Sequence, residues 1–379
     1  MIIKNRNLFR ITRFIIFKVS KLFQLFASFR RPQKRLLIIK TDAIGDYIVF
    51  RNFIEVIKHS EKFKNYQVDL LGNSLWQDMA LKYEAEYIGN FYFINQYKLY
   101  EAPLTLLNLA WRLFRNNYQI VLQPSSTRLL ITDGLAALTA AKQIIGFESN
   151  TEGILPKYKE KTDKFYTTRL ILPPNIYFEF ARSKFFFGQF LMETIALNTF
   201  SIPVEKKESS GIVIFPGAGI ANRSWQKEDF LALLKLIQQY TQQQIYLAGG
   251  PGDLPIGEYL SENMPSQRLT NLIGKTSLHQ LAELIGNAAL VVANETSAIH
   301  IAVATKTASV CILGGGHFER FAPYPAYFEY APVCVFEKMD CYYCNWNCIY
   351  KPAATENFPC IGKISVQSVW QAVLPLLPR

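Results

Sequence analysis

The sequence predicts an α/β protein of two domains, each a parallel sheet with helices on both faces, and three observations carry that prediction. Short apolar runs alternate with segments of helical periodicity through the first half of the chain, and the alternation starts afresh in the second half. With 379 residues, half of them hydrophobic, the chain can fill two ordinary cores. The stretch 289–320 condenses the repeating unit into one line: an apolar strand, the polar turn Asn294-Glu295-Thr296-Ser297, and a small-residue helix at 298–305. Backbone N–H groups at such a helix start favour anions, although the turn taken alone also reads as an ordinary capped helix.

The chain opens on a basic leader, residues 1–33. Residues 1–41 hold eleven Lys or Arg and no acid, so the formal net charge of +11 resides there and residues 42–379 carry thirty charges of each sign. Within the leader Phe14, Ile15, Phe17, Leu22, Phe23 and Phe26 are interleaved with Arg10, Arg13, Lys18 and Lys21. Its apolar runs fall far short of the roughly 20 residues of a spanning helix, and its charges interrupt any secretory-signal core. The pattern predicts an amphipathic helix in peripheral contact with an anionic membrane, each basic group contributing about 1 kcal/mol. The alternative is a helix packed on the first domain with a solvated basic face. A neutral body with no second basic stripe argues against nucleic acid as a partner.

Strands follow at 36–39, 68–71, 87–93, 120–122 and 143–145, with helices at 47–58, 104–114 and 129–140 between them. A long aromatic helix at 176–198 closes the first domain, and the polar stretch 201–210 is a linker. The second domain repeats the scheme, with strands at 212–215, 245–247, 269–272, 290–293 and 309–313 and helices at 227–240, 255–262, 278–286 and 298–305. These are two Rossmann-like domains, expected to face each other across a cleft. Ligands bind such sheets beyond the carboxyl ends of the strands, so the loops holding Gly45-Asp46, 216–225, 249–253 and 294–297 are expected to look into it.

Four segments in these loops carry a resemblance. IIKTDAIGDYIVF at 38–50, FPGAGIANRSWQKEDFLALL at 215–234, YLAGGPGD at 246–253 and NLIGKTSLHQLAELIGNAALVVANETSAIHIA at 271–302 together resemble the family 9 glycosyltransferases. The best-known members of that family are ADP-heptose:lipopolysaccharide heptosyltransferases. The likeness covers about residues 35–370. It implies the GT-B fold, an acceptor-side domain at 34–200, a nucleotide-sugar domain at 211–364 and a C-terminal helix at 365–379. It further implies inverting transfer without a catalytic metal, a donor such as ADP-heptose, a lipopolysaccharide-core or other lipid-linked acceptor, and work at the cytoplasmic face of the membrane. Transfer to a protein hydroxyl is the rival enzyme reading, and a membrane-associated nucleotide-sugar binder without turnover is the rival from another class.

An inverting transfer needs one carboxylate to take the acceptor proton and one electropositive pocket for the departing diphosphate. Asp46 matches the family's proposed base; it also suits a cap of the following helix, and Asp42 is the rival base. Arg223 and Ser224 fall where the family places a basic residue and its neighbour against the phosphates, and Arg can grip two phosphate oxygens at once. Thr296 and Ser297 add hydroxyls at the helix start, while His300, one turn on, is either a phosphate contact or a core histidine. Gly249, Gly250, Asp253 and Lys275 belong to the same donor-binding loops. Lys275 is not a P-loop lysine, because the position five before Gly274 is Leu269. Trp225 is expected to pack behind its loop.

The chain departs from the family pattern in two places: Glu295 stands where Asp is usual, and Gly314-Gly315-Gly316-His317 where Phe-Gly-Pro-Thr is frequent. Both leave the particular sugar open. The three glycines let backbone approach a ligand closely or move. Of six cysteines, Cys311 and Cys334 fall in strands, and Cys341, Cys344, Cys348 and Cys360 gather in the tail. Four soft ligands within twenty residues suit a structural zinc or iron as well as four free thiols in a reducing compartment.

Overall fold

The computed structural model describes residues 3–148, 150–207 and 210–378. The chain divides into two compact units, Met1–Ile176 with Phe180–Leu197, and Tyr177–Glu179 with Asn198–Arg379. The first begins with one helical rod, α1 (Arg6–Phe14) leading through a π turn (Ile15–Val19) into α2 (Ser20–Ala27). Asn5 starts it by accepting hydrogen bonds from the amides of Asn7 and Leu8. The leader expected as a segment of its own is therefore part of this unit: Ile15, Ile16 and Phe23 are buried in one core with Leu37, Ile39 and Leu135. Ile16 sits so close to Gly134 that a Cβ there would lie 2.5 Å from its Cγ1. Three such buried side chains contribute about 2 kcal/mol each.

β1 (Gln33–Lys40), α3 (Ile44–Phe50), α4 (Asn52–His59), β2 (Gln67–Asn73), α5 (Gln77–Tyr83) and β3 (Phe91–Ile94) form the first half of the unit. α6 (Pro103–Arg115), β4 (Tyr118–Gln123), α7 (Leu130–Leu138), β5 (Gln143–Phe147), α8 (Pro156–Thr162), β6 (Thr168–Leu170) and α9 (Glu179–Leu191) complete it. Every pairing is parallel, in the order β3-β2-β1-β4-β5-β6. Leu36, Leu37, Ile38 and Ile39 read as an unbroken apolar run because helices cover both faces of this central strand. The helix expected to reach residue 198 stops at Leu191, where Met192 takes φ 61°, the left-handed conformation that ends helices.

The second unit builds the same architecture from β7 (Ile212–Phe215), α10 (Lys227–Tyr240), β8 (Ile245–Leu247), α11 (Leu254–Asn263), β9 (Leu269–Asn271) and α12 (Leu278–Gly286). β10 (Leu290–Asn294), α13 (Ser297–Ala304), β11 (Ser309–Ile312) and β12 (Val333–Val335) follow, then α14 (Pro359–Gly362) and α15 (Val366–Val373). Its parallel order is β12-β11-β10-β7-β8-β9. In both sheets the strand order reverses beside the unit's first strand, between β1 and β4 and between β7 and β10, and such a reversal opens a crevice at the strands' carboxyl ends. The helix expected at 365–379 ends at Val373 in a 3-10 turn, Leu374–Leu376, because Pro375 cannot continue it. Of the linker at 201–210, Glu208 and Ser209 lie outside the described residues, as do Met1 and Ile2 of the leader and Arg379 of the final helix. Among the described residues no helix is long and apolar enough to cross a membrane.

Candidate functional site

In the second unit the crevice is organised by Asn294, the fully buried last residue of β10. Its Oδ1 accepts the Trp225 amide at 2.9 Å, and its Nδ2 donates to the carbonyls of Pro216 at 2.7 Å and Gly217 at 3.2 Å. One side chain thus pins the loop after β7 to the loop after β10. Ser224 Oγ donates to the same Pro216 carbonyl at 2.7 Å, which makes it a loop fastener. Trp225 is buried and donates its Nε1–H to the Ile364 carbonyl, so it packs behind the loop. Reading Asn294 only as cap chemistry misses this tie between two loops distant in sequence.

The residues held by that tie are left with unmet bonding capacity. Thr296 is the N-cap of α13, in extended conformation, yet its side chain makes no capping bond and its Oγ1 is buried without a partner. Ser297 is the first helical residue. Arg223, on the turn Ala221–Arg223, sits with Nη2 3.6 Å from Glu295 Oε2 and its guanidinium 4.2 Å over the ring of Trp346. Arg223 Nε, Glu295 Oε2 and Trp346 Nε1 are also buried without hydrogen-bond partners. A buried polar atom without a partner costs about 1–3 kcal/mol, and four of the nine such atoms among the described residues lie on the neighbouring residues of this crevice, which makes it the candidate place for a polar ligand. Burial pushes the Glu295 carboxyl up to about 7, with Arg223 and Arg320 pulling the other way.

The remaining donor-loop residues divide. Asp253 accepts from the Gly250 amide and lies over the Pro216–Gly217 turn, where a Cβ on Gly217 would be 2.0 Å from its Oδ1; burial raises its pKa. Gly249 and Gly250 are therefore joined to the crevice through Asp253. Lys275 is turned to its own loop, its ammonium donating to the Asn271 carbonyl at 2.8 Å. His300 is a core histidine: it is buried, its Nδ1 lies 2.5 Å from Tyr324 Oη, and burial lowers its pKa to about 4. Trp346 is the member that sequence reasoning missed. The triple glycine was its only trace, because what approaches those glycines is the protein's own tail. Cβ atoms on Gly315 and Gly316 would lie 2.2 Å from the rings of Tyr342 and Trp346.

In the first unit Asp46 lies in the first turn of α3, directly beyond β1. Asp42 is committed elsewhere: Lys40 Nζ is 2.9 Å from its Oδ2, and Ser125 Oγ donates to the same carboxylate at 2.5 Å. The four tail cysteines are free thiols around one small cavity with Gly315, Trp346 and Phe358. Burial, and then the neighbouring sulfurs, push the Cys344 and Cys360 thiols up. The donor set suits a soft tetrahedral metal in chemistry, and the four side chains line one cavity, but among the described residues no three His, Cys, Asp or Glu stand at ligating geometry.

Comparison with known proteins gives consistent findings. The profile of glycosyltransferase family 9 (heptosyltransferase) matches residues 106–330, more than half of the chain. Lipooligosaccharide heptosyltransferase 2 of Haemophilus influenzae (strain ATCC 51907 / DSM 11121 / KW20 / Rd) is 32% identical over 106 residues, 26% of this chain and 30% of that protein. The matched stretch thus spans about a third of that relative's length. Among solved structures, a family 9 glycosyl transferase from Veillonella parvula DSM 2008 superposes with a TM-score of 0.71 at 16% identity, over 92% of this chain and 98% of that one. The iron-containing dodecameric glycosyltransferase TibC of enterotoxigenic E. coli H10407 gives 0.52 at 13% identity, over 91% and 76%. At these identities the likeness establishes the fold, which is GT-B.

Proposed function

We propose, from the premise that this chain belongs to glycosyltransferase family 9, that it transfers a heptose or related sugar, with inversion, from a nucleotide-sugar donor such as ADP-heptose to a lipopolysaccharide core or other lipid-linked saccharide. The observation that carries the reading is the set of unpartnered polar atoms on Arg223, Glu295 and Thr296 at the β7/β10 crevice. In the transfer, the acceptor oxygen bonds to the anomeric carbon as that carbon's bond to the diphosphate oxygen breaks. The acceptor's proton passes to Asp46, and the electron pair leaves on the diphosphate. Arg223, the Thr296 hydroxyl and the start of α13 would stabilise the charge that accumulates on the leaving group, where preorganised donors act most strongly. A thermal-shift screen of ADP-, GDP- and UDP-sugars tests this, since only a ligand of the folded state stabilises by mass action. A shift with one donor, lost in Arg223→Ala, is expected; no shift with any of them refutes the reading.

Cys341, Cys344, Cys348 and Cys360 would hold a structural zinc or iron, which would cross-link the tail and take no part in the transfer. A second reading, the same donor with a protein hydroxyl as acceptor, is separated from the first by a comparison of peptide and saccharide acceptors. Peripheral contact with the inner face of the cytoplasmic membrane is supported by the outward face of the leader. Ile11, Phe14, Leu22, Leu25, Phe26 and Phe29 are exposed there among basic residues, and Leu104, Leu107 and Trp111 are exposed on α6. The two sets adjoin where Phe23 meets Trp111, ring centroids 6.1 Å apart.

A further inference from the structure

We infer that Trp346, carried on the cysteine-rich loop, is a donor-binding residue whose indole N–H hydrogen-bonds a phosphate oxygen of the nucleoside diphosphate held by Arg223. The inference rests on the reading of the Arg223 crevice as the donor site and adds to it a ligand group from a different part of the chain. An indole nitrogen only donates, and this one is buried with nothing to donate to. Two of its neighbours are donors too: the unpartnered Nε of Arg223 belongs to the guanidinium stacked 4.2 Å over the Trp346 ring, and the Thr296 hydroxyl is unpartnered as well, while the fourth unpartnered atom, Glu295 Oε2, is an acceptor 3.6 Å from Arg223 Nη2. Donors gathered from three separate segments want a ligand rich in acceptors, and a diphosphate is one.

The loop is built to aim this ring. Tyr343, Asn345 and Trp346 take φ of 66°, 49° and 61°, a left-handed conformation that bulky residues adopt only where surrounding contacts enforce it. The enforcing contacts are present. The amides of Tyr343 and Asn345 donate to the carbonyls of Gly315 and Gly316 at 2.8 and 2.9 Å, and His317 Nε2 lies 2.6 Å from Asn345 Oδ1. The far side of the loop is clasped to the Arg223 turn: Phe358 N donates to the Asn222 carbonyl at 2.8 Å, and Asn222 Nδ2 donates to the carbonyls of Ala353 and Glu356. Phe358 stacks on the Trp346 ring, centroids 5.5 Å apart. A strained, braced tryptophan with an unused N–H beside a phosphate-binding arginine is a binding group; a ring needed only for packing requires neither the strain nor the empty donor.

The test is Trp346→Phe, which retains an aromatic ring for Arg223 and deletes the N–H, with Gly316→Ala as a second variant whose Cβ would displace the ring. Affinities for ADP and for inorganic pyrophosphate are measured by calorimetry on the full chain, with circular dichroism as the check of fold. Trp346→Phe is expected to weaken both ligands about tenfold or more, in step with the loss of a charge-assisted hydrogen bond. It should also raise the donor KM without moving the acceptor KM, and abolish any ADP-induced change in tryptophan fluorescence that originates at this ring. Gly316→Ala should act in the same direction. Parental affinities in a folded Trp346→Phe, with Arg223→Ala still weakening both ligands, overturn the inference alone. Failure of the parent protein to bind either ligand overturns the donor-site reading beneath it.

Discussion

Replacing Glu295 by Gln should change how stability depends on pH, and by an amount the site itself sets. Burial pushes the carboxyl up to about 7 from an ordinary value of 4.5, since its attraction to Arg223 and Arg320 does not offset the desolvation. A folded-state pKa above the unfolded one means that folding takes up a proton between those values. The stabilisation is fully present below about pH 4.5, declines as pH rises, and is gone above about pH 7. The gap corresponds to about 3 kcal/mol. Glu295→Gln removes this dependence, so relative to the parent the variant should gain about 3 kcal/mol between pH 4.5 and pH 8, read from urea unfolding at each pH. Ligand binding follows the same sign. A diphosphate beside Glu295 favours its protonated form, so as pH rises past 7 ADP affinity in the parent should fall relative to that of the variant, a comparison that cancels the ionisation of ADP's own phosphate, common to both. Parallel stability curves for parent and variant would show that Glu295 ionises freely in the folded state and would refute the reasoning.

Asp46→Asn should lower turnover about a hundredfold or more with ADP affinity unchanged, as expected for loss of a general base; single-turnover kinetics with calorimetry checks it, and near-parental turnover sinks the assignment. If the tail binds metal, elemental analysis should find about one zinc or iron per chain, and chelation should weaken ADP binding through the displaced Trp346 loop; four titratable thiols and no metal would remove the site. Deleting the leader would destroy core, because Ile15, Ile16 and Phe23 are buried. Membrane contact is therefore tested by Phe14→Ser with Leu25→Ser and Leu104→Ser, all well exposed, which should leave the melting temperature nearly unchanged and sharply reduce sedimentation with anionic vesicles, and undiminished binding refutes the contact.

The parts of this protein that were legible in its sequence are those governed by short-range pattern. β10 could be read from five consecutive buried residues, and α13 from small side chains that the structure buries from Ala298 to Ala304. Arg223, Glu295 and Thr296 lie in loops that the motifs single out, and the structure brings Arg223 to 3.6 Å from Glu295. The edge strands β6 and β12, three residues each and partly exposed, carry too little pattern to be seen. The leader is amphipathic in two directions, and the π turn Ile15–Val19 shifts its phase, so spacing could not tell that Phe23 faces the core while Leu22 and Leu25 face outward. Trp346 was invisible for a different reason: its partner Arg223 is 123 residues away, and no local periodicity records such a contact.

The two sheets have the same strand order, and each has one topological crevice, so topology alone does not say which unit takes the anionic ligand. Hydrogen-bond satisfaction does. At the β1/β4 crevice Lys40 is spent on Asp42, Ser125 on the same carboxylate, Thr41 on Gln96, and the Asp42 carbonyl accepts from Asn73 and Trp76. Charge and donors there are balanced internally, which leaves little for a phosphate. At the β7/β10 crevice the equivalent loops are pinned by Asn294 with Arg223, Thr296 and Trp346 still holding unused donors. Unpartnered buried atoms also occur singly elsewhere, on Thr12, Arg13, Arg35, Tyr83 and Ser309, but in this crevice they converge from three segments of the chain. That asymmetry, between two copies of one architecture, is the physical ground for proposing the second unit, rather than the first, as the one that takes the diphosphate.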